Sequence, residues 1–140
     1  MKRKVILVIV LLVAFVAPYL SRIPGTITHG SEWFWSYLPS FSAFMFFGAF
    51  NLISLIPLLV VGIFFVRGKF KVSFALATLT HLVSTFWFHH NYDLAADAQA
   101  GIGLIFIPIV VGAITLAVGA VSMLVEWLVN RRRVRTSSDG

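Results

Sequence analysis

Apolar residues in this chain run in long blocks, and short clusters of charged and aromatic residues separate the blocks. The first block, Val5 to Leu20, follows Lys2, Arg3 and Lys4 and stops at Ser21-Arg22-Ile23-Pro24-Gly25, where proline and glycine end a helix. As a helix it rises about 24 Å, and Lys4 and Ser21 bring it near the ~30 Å of a bilayer core. The second block, Phe41 to Val66, rises about 39 Å and must tilt or bend to fit. It ends at Arg67-Gly68-Lys69-Phe70-Lys71.

The third block, Val72 to Phe88, is short and carries Ser73, Thr78, Thr80, His81, Ser84 and Thr85. The short basic loop before it makes a hairpin with the second block the best reading. The fourth, Ala98 to Val129, is longer than a bilayer is thick, so its spanning part is placed near Leu104 to Leu128. The pattern predicts an all-α integral membrane protein of four transmembrane helices, about 4–21, 41–66, 72–88 and 98–129, packed as two antiparallel hairpins. Residues 1–135 form a single domain on this reading, and 136–140 a disordered tail.

A basic start before an apolar run also fits a signal peptide. The residues that would precede a cleavage at Pro18 are Phe15 and Ala17, a poor site, so an uncleaved anchor is expected.

The first outer loop adds one more element. Ser31-Glu32-Trp33-Phe34-Trp35-Ser36-Tyr37-Leu38 reads as a short interfacial helix, with Ser31 as its N-cap and Glu32 near the positive end of its dipole.

Composition agrees with a membrane location: 59% of residues are hydrophobic and 11% charged, against about a quarter charged in soluble domains. Of the 11 Lys and Arg, all but Arg22 lie in the amino terminus, the 67–71 loop and the carboxy terminus. Four spans put those segments on one side, which the positive-inside rule makes the cytoplasm. A bacterial cytoplasmic membrane with both termini inside is the expected location. The net charge of +6 is then a matter of topology and lipid contact, with no nucleic-acid partner.

No cysteine is present, which removes disulfides, thiolate metal sites and cysteine redox chemistry. The first span holds no carboxylate, unlike the small multidrug transporters, and one His-His pair is not the spaced set of a membrane desaturase.

Three groups of residues could carry more than packing. On the fourth helix Asp97, Gly101, Ile105, Pro108, Gly112, Thr115, Gly119, Ser122 and Glu126 recur in steps of four and three, which keeps them on one face. Gly101, Gly112, Thr115, Gly119 and Ser122 are small enough to form a helix-packing seam. Within the spans, His81 and Asn51 lie at similar depth and are expected to bond between helices. Outside, His89, His90, Asp93 and Asp97, with His29 and Glu32 from the other loop, are candidate metal ligands if the segment stays helical. A solvated polar cap is the plainer reading of the same residues.

These features favour a non-enzymatic accessory protein that binds another membrane protein or itself. An immunity-type protein or a subunit of a complex would be concrete versions. No catalytic residue or cofactor is assigned. One alternative is an oligomeric small transporter or channel using His81, Asn51 and the outer acids. The other is a membrane enzyme with a metal at the outer His/Asp cluster.

Overall fold

A computed structural model describes residues 2–38, 40–94 and 100–138. The described chain is all-helical, with elements α1 (Lys2–Leu20), α2 (Thr26–His29), α3 (Glu32–Trp35), α4 (Phe41–Val66), α5 (Lys71–His90) and α6 (Ala100–Ser138). Three of these, α1, α4 and α6, are long and apolar enough to cross a membrane. Each is continuous through a proline: Pro18, Pro57 and Pro108.

The ends of α4 have local causes. Ser40 is extended, and its hydroxyl accepts from the Ala43 N–H at 3.2 Å, which satisfies one of the free donors of the first turn. At the other end the Lys69 N–H reaches the Phe64 carbonyl at 3.0 Å and the Gly68 N–H reaches Phe65 at 2.9 Å. This is the Schellman pattern, and it requires the left-handed φ of 87° at Gly68. Phe70, also left-handed at φ 51°, turns the chain straight into α5.

α4 and α5 each pack against both α1 and α6. Small residues set the close approaches. A Cβ on Gly112 would lie 3.3 Å from the Ser54 Cα, so α6 meets the backbone of α4 there. Leu7 of α1 occupies the space that a side chain at Gly62 would take. Leu7, Ala14, Leu55, Leu58, Val61, Phe74 and Ala77 form the buried core.

α5 buries a stripe of mostly polar residues. Ser73, Ala77, His81, Thr85 and His89, spaced by four, are all buried. Val72, Leu76, Leu79, Val83, Phe86 and Trp87 are its exposed apolar residues. Its polar residues therefore face the protein, and the outward face is apolar.

The basic segments gather at one end of the bundle. The Arg3 guanidinium sits beside Gly68 in the α4–α5 turn, and Glu126 of α6 contacts Ser73 at the start of α5. Arg22, Trp33, Tyr37 and His89 lie together at the opposite end.

Two expectations need correction. The loop between α1 and α4 forms a separate turn, α2, and then the expected short helix, shortened to α3, with Ser31 at its N-cap position but making no side-chain capping bond. Ser31 itself has helical dihedrals, so its hydroxyl is not swung toward the first-turn donors. α6 also runs past Val129 to Ser138. The apolar run stops near Val129, but no proline or glycine stops the backbone before Ser138, and the arginines that follow are good helix formers.

Candidate functional site

The most heavily bonded side chain described is Arg22, directly after α1, and its residue is 0% exposed. A guanidinium offers five N–H donors. Here Nε donates to the Trp33 carbonyl at 3.2 Å, Nη1 to the carbonyls of His89 at 3.1 Å and of Tyr92, and Nη2 to the Trp33 carbonyl at 2.9 Å and the Ser36 hydroxyl at 3.3 Å. All five directions are used.

The group is also held between rings. Its carbon lies 3.7 Å from the Trp33 ring centre and 4.3 Å from that of Tyr37, distances at which a cation is attracted to a π face. His29 stacks on Trp33 at 4.2 Å. Burial lowers the Arg22 pKa from its ordinary value, and Tyr37 and Asp93 act the other way. A positive charge at the His89 carbonyl also suits the negative end of the α5 dipole.

Both histidines of the pair are tied to this cap. His89 Nδ1 is 3.2 Å from the Tyr37 hydroxyl. His90 Nδ1 donates to the Ser21 carbonyl at 3.1 Å. The Asn91 side chain donates to the Trp87 carbonyl at 2.8 Å, and α5 ends at His90.

The candidate metal ligands fall into different surroundings. His89 and Asp93 do not share a helical face, because the helix stops between them. His89 is buried against Tyr37, while His29, Glu32 and Asp93 line a separate open groove of about 320 Å³ with Trp33 and Ser36. Asp97 lies outside the described residues. Among the described residues, no three His, Asp or Glu side chains are placed to hold a metal ion.

Deeper in, Asn51 and His81 do not meet in the expected pair. The Asn51 amide donates to the Phe15 carbonyl of α1 at 2.6 Å, and Ser54 donates to the Asn51 carbonyl at 2.7 Å. His81 turns toward α6, with Nδ1 3.3 Å from the Thr115 hydroxyl. That hydroxyl donates to the Val111 carbonyl at 2.8 Å, so it accepts from Nδ1–H. Nε2 of His81 is buried and has no hydrogen-bond partner among the described residues. Similar depth did not make the two residues neighbours, since they face different helices.

The fourth-helix stripe divides along its length. Gly112 meets Ser54, Thr115 holds His81, and a Cβ on Gly119 would lie 3.0 Å from Val61. Ser122 bonds its own helix, donating to the Gly119 carbonyl at 3.0 Å. Among the described residues, nothing lies within 4 Å of where a Cβ on Gly101 would stand. At the far end, Glu126 accepts from the Ser73 N–H at 3.0 Å and hydroxyl at 2.7 Å. Ser73 is the third residue of α5, so the carboxylate of one helix caps the N-terminus of another.

Arg22 was hidden from sequence reasoning. Its one signal was its exception to the charge bias, a lone basic residue next to a tryptophan- and tyrosine-rich loop. No family model, curated protein or solved structure matches this chain.

Proposed function

We propose that this chain is a four-span protein of a bacterial cytoplasmic membrane, with both termini inside, that acts without catalysis by binding another membrane protein or a second copy of itself. The fourth span is α5. Its low hydropathy comes from side chains that face the bundle, and the face left for lipid is apolar. The clustering of Lys2, Arg3 and Lys4 with the 67–71 turn supports a cytoplasmic face at that end.

One observation carries the functional reading. The polar side chains of the bundle are spent on joining its elements, as Arg22, Asn51, His90 and Glu126 show. What stands outward at the Arg22 end is large and apolar: Ile27 is 88% exposed, Phe41 78% and Trp35 60%. Exposed apolar groups of this size on an outer loop suit contact with another protein or with the interface.

A photo-reactive amino acid in place of Trp35 tests it, in cells and after purification in mild detergent. One discrete cross-linked protein, or a dimer, is expected. Adducts with lipid alone, from Trp35 and Ile27 positions alike, would overturn the reading.

The unpartnered Nε2 of His81 favours a second reading, an oligomeric transporter or channel. Ion flux through vesicles containing the protein, abolished by His81→Ala, would move that reading first.

A further inference from the structure

Toward the basic end of the bundle, the outward faces of α5 and α6 leave a groove of about 650 Å³ between them. Its walls are Val72 and Leu76 from α5 and Ala117, Val121, Val125 and Val129 from α6. The lining is almost wholly apolar and opens on the outside of the bundle, along helices that lie at lipid depth.

We infer that this groove holds an acyl chain of an anionic phospholipid whose headgroup rests on Lys71 and Arg132. The walls suit a hydrocarbon chain, because valine and alanine present short side chains along a continuous trough. The mouth supplies the headgroup chemistry. Lys71 directly precedes Val72 and is exposed. Arg132 follows Val118, Ser122, Val125 and Val129 in steps of four and three, so the helix returns it to the groove side. Trp127, with the Arg131 guanidinium 4.9 Å from its ring centre, sits at the same level. Tryptophan and arginine favour the depth of lipid headgroups.

Glu126 also lines this groove and would repel an anion. Its Oε2 is, however, taken up by the Ser73 N–H and hydroxyl at the positive end of α5. Basic residues at a membrane face attract anionic lipid by about 1 kcal/mol each, equivalent to roughly fivefold per residue. The inference needs α5 and α6 in a bilayer. It does not need the protein-binding role proposed above, and either can fail without the other.

The test uses the full chain in detergent, with phosphatidylglycerol and phosphatidylcholine of the same acyl chains as probes. Native mass spectrometry and thermal melting read out binding. Phosphatidylglycerol is expected to stay bound and raise the melting temperature, and phosphatidylcholine to do neither. Lys71→Gln with Arg132→Gln should weaken binding by roughly tenfold or more. Ala117→Phe, which fills the trough, should abolish it. Equal binding of both lipids, or phosphatidylglycerol binding unchanged by the charge variant, would overturn the inference. So would a disulfide-linked dimer from Val121→Cys in this cysteine-free chain, since a second copy would then occupy the groove.

Discussion

A carboxylate oxygen of Glu126 lies 3.0 Å from the backbone nitrogen of Ser73 and 2.7 Å from its hydroxyl, so a side chain from within one long helix completes the start of another. Charge-assisted bonds at a helix N-terminus contribute about 1 kcal/mol, more when partly buried. Glu126→Gln keeps the shape and removes the charge. It should lower stability by about 1 kcal/mol. Ser73→Ala should cost less, because the N–H still donates. Melting in detergent, as a double-mutant cycle, should show the two effects to be non-additive.

Arg22 makes the sharpest stability prediction. Lysine preserves its charge but not its planar fork of donors. Arg22→Lys should therefore cost about 2–4 kcal/mol, close to the effect of Arg22→Gln, since carbonyls of Trp33, His89 and Tyr92 lose partners in both. A melting temperature restored by lysine would show that charge, not geometry, is what the cap needs.

Three of the four glycines of α6 should separate cleanly. Gly112→Leu meets α4 backbone and Gly119→Leu meets Val61, so each should destabilise by about 1–3 kcal/mol. Gly101→Leu meets nothing within 4 Å and should melt like the wild type. Equal effects at all three positions would contradict the packing described.

Tyr37 gives a pH dependence. Burial raises its phenol well above the ordinary value of 10.0, against the opposing pull of Arg22. The folded form keeps its proton where the unfolded form loses it. This contribution to stability is therefore full below about pH 10 and lost as pH rises beyond it. Urea or thermal melts from pH 9 to 11 should fall more steeply for the wild type than for Tyr37→Phe.

The outer histidines yield a metal prediction. His89 and His90 bond Tyr37 and Ser21, and the groove that Glu32 and Asp93 line does not include His89. Purified protein is expected to carry no stoichiometric metal. A metal present at one per chain, and lost in Asp93→Ala or Asp97→Ala, would put the enzyme reading first.

The sequence was most readable where one physical signal dominates. Long apolar runs mark α1, α4 and α6. The end of α6 was less readable, because hydropathy locates a boundary with lipid and not the last helical turn. Arg22 was not readable as a centre, since most of its partners are backbone carbonyls, which leave no trace in residue identity. Asn51 and His81 show a related limit. Counting residues gives depth along a helix, but azimuth decides the neighbour, and here it sends one side chain to α1 and the other to α6.

The inward-facing polar stripe of α5 bears on how the protein is made. On the four-span reading, Ser73 and His81 leave the ribosome before their partners Glu126 and Thr115 exist. Hydrogen-bonding groups without partners are costly in hydrocarbon. α5 should thus wait at the bilayer surface and enter together with α6, as a late, paired insertion event. A chain ended near residue 94 should leave its α5 open to water-soluble thiol reagents at an introduced Thr85→Cys. The full chain should protect the same cysteine, and a cytoplasmic reporter fused after Gly140 should be active.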